Sequence, residues 1–239
     1  GAILGEGEDI ADTLLLHTIQ SAWACYDGKN NDMMKLLDKS LMETTKLLSK
    51  NRIAHHFGDE TVMKNNARVA GDRLIIGKCS YKNVVLPYTV NISESTLNLL
   101  LEFQKGGGNI IILEEPPALV DGMPDSRLQE LSYTSKLPEN NKIIISDENI
   151  NFCSRRHGNE IIYYVINESA KEAVDCVIEI HTDYNLYLLE LESGNIYPYD
   201  TRFRFEPSQA YFIIETPNEY KTLLTKEQNF VELKKEWEI

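Results

Sequence analysis

The sequence predicts an α/β layer built on a mostly parallel sheet with flanking helices, followed by a small antiparallel β-sandwich. The expected division is 1–145 and 146–217, with 218–239 as a tail. Three observations carry this. In the first half, short Val/Ile/Leu runs alternate with a helical period, the pattern of βαβ units. From about residue 149 the period becomes two, rich in β-branched and aromatic residues. Between the halves, Pro138, Asn140 and Asn141 mark a break near 138–149.

The first strand is expected at 13–19 (TLLLHTI), an apolar run with no helical period. A helix follows over 32–50, where Met33, Leu37, Leu41, Thr44 and Leu48 recur at three and four residues and Asn31 or Asp32 suits the N-cap. A second strand is read at 53–57. Two short strands flank Gly71-Asp72 within 67–76, a hairpin signal. The run 83–86 (NVVL), bounded by Pro87, reads as a strand covered on both faces. Ser93 or Ser95 then caps a helix carrying Leu97, Leu100, Leu101 and Gln104, and Gly106–Gly108 stops it. Residues 109–113 (NIIIL) give the next buried strand. A weak helix near 125–136 and a further strand over 142–145 (KIII) complete the layer.

In the second half, Ile150, Phe152 and Ser154 alternate with Asn151 and Cys153 up to a turn at His157-Gly158-Asn159. Strands are expected at 160–166, 173–180, 186–191, 196–199 and 209–215, with a turn at Ser193-Gly194-Asn195. Short strands at this spacing point to a sandwich. The tail ends on Glu236-Trp237-Glu238-Ile239, in mid-strand pattern, and the chain is expected to be a piece of something longer.

Among 239 residues, 24 Lys+Arg stand against 37 Asp+Glu, a formal charge of −13. That balance argues against nucleic acid and anionic membrane as partners, since both are held by Lys/Arg. No apolar run approaches the roughly 20 residues of a membrane span. The start, GAILGEGEDIADT, has no basic region of a signal peptide. Cys25, Cys79, Cys153 and Cys176 form no C-x-x-C pair and read as reduced thiols, so a cytoplasmic location is expected. Asn91-Ile92-Ser93 and Asn167-Glu168-Ser169 are chance matches to the glycosylation sequon.

Reactive constellations are sparse. Neither G-x-S-x-G nor G-x-C-x-G occurs, and Cys79 reads as an inert thiol. Gly106–Gly108 follows a helix, so it is not a dinucleotide cradle. His55-His56 lack the spacing of a zinc helix and point to opposite faces of a strand. Glu114-Glu115 and Asp59-Glu60 are neighbours whose side chains diverge, against the paired carboxylates of glycoside hydrolysis. No catalytic residue, metal or cofactor is assigned. Position is more informative, because the carboxyl ends of parallel strands line one crevice. That rule gathers His17, Gln20, Trp23, Asp59, Glu60, Tyr88 and Glu115 along one edge. They serve there either as a binding surface or as helix caps and loop supports.

Several segments resemble large multidomain bacterial glycoside hydrolases of the α-L-rhamnosidase-like and β-galactosidase-like kind. They are Leu14–Trp23 (LLLHTIQSAW), Phe57–Glu60 (FGDE), Tyr81–Tyr88 (YKNVVLPY), and the helix running into Gly106–Leu113 with Pro116-Pro117. The resemblance implies a flavodoxin-like or amidotransferase-like domain, of the β-galactosidase trimerisation type, that follows a catalytic (β/α)8 barrel. A β-sandwich comes next, matched by Arg155-Arg156, Tyr164–Asn167 and Leu189–Gly194. Glu236–Ile239 resembles the start of a further jelly-roll domain. The barrel and its carboxylates have no counterpart here, and the amidotransferase-like Cys/His/Glu triad is absent.

The leading expectation is therefore a non-catalytic accessory region that supports or walls the site of a barrel in the same polypeptide and takes part in homo-oligomers, with a carbohydrate substrate belonging to the parent enzyme. Two alternatives differ in class. A carbohydrate-binding module would use Tyr184, Tyr187, Tyr197 and Tyr199. A stand-alone amidotransferase-like hydrolase would need Cys79 or Ser21 within hydrogen-bond reach of a histidine.

Overall fold

The computed structural model describes residues 2–29, 31–190 and 193–222. The expectation for Glu236–Ile239 lies outside the described residues, as does most of the tail.

Four short strands form a wholly parallel sheet in the spatial order His55–Gly58, Thr13–Leu16, Asn83–Leu86, Asn109–Ile112. The alternation of side chains along a strand divides its apolar residues between two faces. Leu15, Val85 and Ile111 face one side and pack with Leu48 and Ile53. The long helix Asp32–Lys50 covers that side, with Leu37, Ser40, Thr44 and Leu48 as its buried stripe. Leu14, Leu16, Val84, Leu86, Ile110 and Ile112 face the other side. There the helices Glu60–Asn66 and Glu94–Lys105 supply Met63, Leu97, Leu100 and Phe103. A small antiparallel sheet, Ala67–Ala70, Arg73–Ile76 and Cys79–Tyr81, packs against the same core.

Glycine is required at the stop of the Glu94–Lys105 helix for reasons of space. A Cβ on Gly106 would lie 1.8 Å from the Gly71 carbonyl oxygen, and one on Gly108 would lie 2.1 Å from the Phe103 ring.

The second unit is a two-sheet sandwich. One sheet has the order Glu8–Asp9, Ile150–His157, Glu160–Asn167, Ala210–Thr216, Asn185–Leu189, Ile196–Pro198, all antiparallel. The other is Ile143–Ile145, Val174–Ile180, Arg202–Phe205. Between them lie Ile150, Tyr163, Val165, Ile178, Phe205 and Ile213.

Several local expectations are corrected. The strand read at 13–19 ends at Leu16, and Ile19–Cys25 is a helix. No breaker separates the two, so the apolar run hid the change of period. Glu60–Asn66 is a helix that Asp59 starts, accepting from the Thr61 and Val62 amides at 2.8 and 3.0 Å. The weak helix near 125–136 shrinks to a 3-10 turn, Ser126–Glu130. Ile143–Ile145 does not extend the first layer. It pairs antiparallel with Val174–Ile180 in the sandwich. Arg202–Phe205 (RFRF), which falls between the strands expected from the sequence, alternates exposed and buried and is a strand. Asn31 sits at the N-cap of the long helix without a side-chain cap bond. Ser93, by contrast, caps its helix through the Thr96 amide.

The two units share chain. Glu8–Asp9 leaves the first unit to pair with Arg155-Arg156 of the sandwich. Arg52, buried at the end of the long helix, donates from Nη2 to the Asp147 carbonyl, and its own carbonyl accepts from Asn140. Lys50 pairs with Glu148 at 2.7 Å.

Candidate functional site

Because the four strands are parallel, their carboxyl ends share one edge of the sheet. His17 follows Leu16, Asp59 and Glu60 follow Gly58, Tyr88 lies two residues past Leu86, and Glu115 three past Ile112. Gln20 and Trp23 ride on the helix Ile19–Cys25, which directly follows the Thr13–Leu16 strand.

Their chemistry divides them. Asp59 is a helix cap. Glu60 is buried, its Oε2 accepting from the Ser93 amide at 2.7 Å and the Ser93 hydroxyl at 2.8 Å, and its Oε1 is buried with no partner. It ties the start of one helix to the cap of another and does not wall an open crevice. Behind Tyr88, its amide donates to Ser40 Oγ at 2.8 Å, and that hydroxyl donates to Glu114. His17 holds its place through its amide on the Gly58 carbonyl at 2.9 Å, with its ring edge-on to Phe57. Glu115 is exposed. None of the seven hydrogen-bonds another of the seven.

What the edge does offer is apolar surface. Trp23 is 63% exposed and Phe57 55%, with Tyr26 and Val62 also largely exposed. Large aromatic side chains left in water carry an unmet hydrophobic driving force. The His55–Gly58 strand that carries Phe57 is also an outer strand of the sheet, and among the described residues no strand pairs with its other side.

The nucleophiles considered from sequence are committed elsewhere. Ser21 Oγ donates to the Asn91 carbonyl at 2.9 Å and accepts from the Val90 and Asn91 amides, both at 3.0 Å. Cys79 packs against the core of the first unit. Burial raises the Cys153 thiol and raises that of Cys176 to about 11, so both remain protonated at neutral pH. Among the described residues no three His, Cys, Asp or Glu side chains converge on a point that could hold a metal ion.

The tyrosines of the sandwich are mostly structural. Tyr187 packs edge-on against Tyr220, with ring centroids 5.4 Å apart. Tyr199 donates to the Ile178 carbonyl and belongs to the core. Tyr197 reaches Glu190 at 3.5 Å, and Tyr184 is the exposed member of the four. Both sequon asparagines are buried. Asn91 Oδ1 accepts from the Gly122 amide, and Asn167 donates to the Glu172 and Glu206 carbonyls.

Three residues not singled out from sequence, Asp9, Arg52 and Tyr81, meet His55 and His56 where the two units join. The adjacent histidines do take opposite surroundings, as a strand requires. His56 Nδ1 lies 2.9 Å from Tyr81 Oη, and His55 stacks edge-on to Phe57. Neither is fully buried.

No family model matches the chain, and no curated protein matches it. Solved structures do. A rhamnosidase from Novosphingobium sp. PP1Y superposes with a TM-score of 0.62 at 15% identity, over 95% of this chain and 24% of its own. Gan42B, a GH42 β-galactosidase from G. stearothermophilus, gives 0.60 at 10% identity, over 87% of this chain and 40% of its own. An exo-carrageenase GH42 from Bacteroides ovatus gives 0.56 at 13% identity, over 85% and 29%. The fold is thus one found within glycoside hydrolases, and this chain spans between about a quarter and two fifths of those proteins. Among the described residues no helix is long and apolar enough to cross a membrane.

Proposed function

We propose that this chain is a non-catalytic accessory region of a glycoside hydrolase. The reading is supported by the sheet order, with the first strand of the parallel sheet second in space, which agrees with a flavodoxin-like layer. The carboxyl-end edge, with Trp23 and Phe57 uncovered, docks on a catalytic barrel of the same polypeptide, walls part of its site, and contributes to homo-oligomers. The carbohydrate substrate belongs to that barrel. One observation carries the reading: the fold recurs over 85–95% of this chain inside glycoside hydrolases, while the candidate nucleophiles Ser21 and Cys79 are tied into backbone and core.

The test is an assay of the isolated chain on aryl rhamnosides and aryl galactosides. The expected rate is that of buffer, and Ser21→Ala and Cys79→Ala leave it unchanged. Saturable turnover lost in either variant would replace this reading with a self-contained hydrolase.

A further inference from the structure

We propose that the sandwich hairpin carrying His157 and Glu160 is a conformational clasp that couples the leading segment 2–9 to the trailing segment 216–222, so that releasing one loosens the other. His157 and Glu160 are a directly opposed pair where the strands Ile150–His157 and Glu160–Asn167 meet their turn. Opposed pairs of an antiparallel ladder interact. Each member of this pair holds a different segment of the chain.

His157 holds the leading segment. Its Nε2 donates to the Ile3 carbonyl at 3.1 Å, and since a carbonyl only accepts, the ring carries a proton at that nitrogen. Arg155 grips the same segment. It donates from Nε to the Glu6 carbonyl at 2.7 Å and from Nη2 to the Gly7 carbonyl at 3.0 Å, and it pairs with Asp9 at 3.3 Å. Gly7, at φ +74°, is seated against this wall. A Cβ there would collide with the Arg156 carbonyl oxygen and lie 2.9 Å from His157 Nε2. The segment then runs as Glu8–Asp9 along Arg155-Arg156, and Asp9 also faces His56 of the parallel sheet. Loosening it therefore loosens the join between the two units.

Glu160 holds the trailing segment. Its Oε1 accepts from Thr216 Oγ1 at 2.8 Å, from Asn218 Nδ2 at 3.4 Å and from Tyr220 Oη. The Tyr220 amide donates to Tyr187 Oη at 3.2 Å, and Asn185 Nδ2 donates to the Asn218 carbonyl at 3.1 Å. Burial works against the charge of Glu160, but the Tyr220, Thr216 and Asn218 hydrogen bonds, with the charge of His157, hold the carboxyl below its ordinary value. The two grips act on each other. A carboxylate across from the imidazole polarises the N–H that His157 donates to Ile3. A carboxylate that loses Tyr220 is free to turn into water and away from His157. Both segments lie at the rim, so their opening is local and leaves the sandwich folded. The clasp does not depend on the accessory role, so either can fail alone.

Hydrogen–deuterium exchange with peptide mass spectrometry on the full chain tests the coupling. Tyr220→Ala is expected to raise exchange in 216–222 and, through the hairpin, to raise it about two- to fivefold in peptides covering 2–12, with the Val174–Ile180 strand unchanged. In the reverse direction, Gly7→Ala displaces the leading segment and is expected to raise exchange in 216–222 by a similar factor, because coupling between two equilibria is reciprocal. In a His157→Ala background, Tyr220→Ala should add nothing in 2–12. Exchange in 2–12 that stays unchanged when 216–222 is released, or that still rises on Tyr220→Ala in the His157→Ala background, would overturn the proposal. If Tyr220→Ala destabilises the whole sandwich, Tyr220→Phe, which keeps the ring on Tyr187 and loses only the donor to Glu160, is held to the same two outcomes.

Discussion

Replacing Glu215 by alanine removes the centre of a buried hydrogen-bond cluster at the end of the last sandwich strand. The carboxylate is 2% exposed and accepts from Tyr163 Oη at 2.6 Å, Thr182 Oγ1 at 2.7 Å and Lys142 Nζ at 2.7 Å. Burial works against its charge, but the three donors outweigh burial and hold the carboxyl below its ordinary value. Alanine leaves the Tyr163 hydroxyl buried without an acceptor, whereas Lys142, 43% exposed, turns to water at little cost. Leaving that hydroxyl unsatisfied costs about 1–3 kcal/mol, the lost methylene adds about 1 kcal/mol, and the sum of about 2–4 kcal/mol corresponds to roughly 4–16 °C in melting temperature for a chain of this size. Glu215→Gln keeps an acceptor and loses the charge, for about 1–3 kcal/mol. The pH dependence separates the two causes. A carboxyl that is more acidic in the folded than in the unfolded chain stabilises the fold above its unfolded pKa of about 4.3, and this contribution is lost as pH falls through the folded value. The gap between wild type and Glu215→Gln should therefore be full at neutral pH and narrow in acid. Urea unfolding monitored on the sandwich by tyrosine fluorescence, at a series of pH values, measures both. An alanine variant within about 1 kcal/mol of wild type, or a glutamine gap that does not change with pH, refutes the reasoning.

Glu60→Ala should cost about 1–3 kcal/mol in urea unfolding, because the Ser93 amide and hydroxyl lose their buried acceptor. Glu60→Gln should cost less, since one oxygen already serves Ser93 and the other has no partner to lose. Gly106→Ala places a methyl against the Gly71 carbonyl, backbone on backbone, and is expected to cost at least ~1–3 kcal/mol and to lower soluble yield. Arg52→Ala removes a tie between the units, and limited proteolysis should then cut faster around residues 138–149 while the sandwich keeps its melting behaviour.

The parallel layer was legible because its strands are covered on both faces. TLLL, NVVL and NIII leave no choice of face, and the stripe from Leu37 to Leu48 fits one helix. The helices Ile19–Cys25 and Glu60–Asn66 were not, since each is only 7 residues long and starts within two residues of a strand, the first with no Gly or Pro between and the second with Gly58 still inside the strand. Ile143–Ile145 reads as a buried strand anywhere, and only its pairing with Val174–Ile180 tells which unit it serves. Strand direction decides which residues follow the carboxyl ends of the strands. Burial then decides what they do, and a sequence does not show that Glu60 turns inward to Ser93 while Trp23 stays in water. The junction was invisible for a different reason. Asp9 and His56 are far apart along the chain, and they meet because a two-residue strand crosses to the sandwich.

The most direct test of the accessory role is hydroxyl-radical footprinting of Trp23 and Phe57 in the full parent polypeptide and in this chain alone. The account predicts strong labelling of both residues in the isolated chain and several-fold protection in the parent, with Tyr184 of the sandwich labelled equally in both. Equal labelling of Trp23 and Phe57 in the two proteins would contradict it.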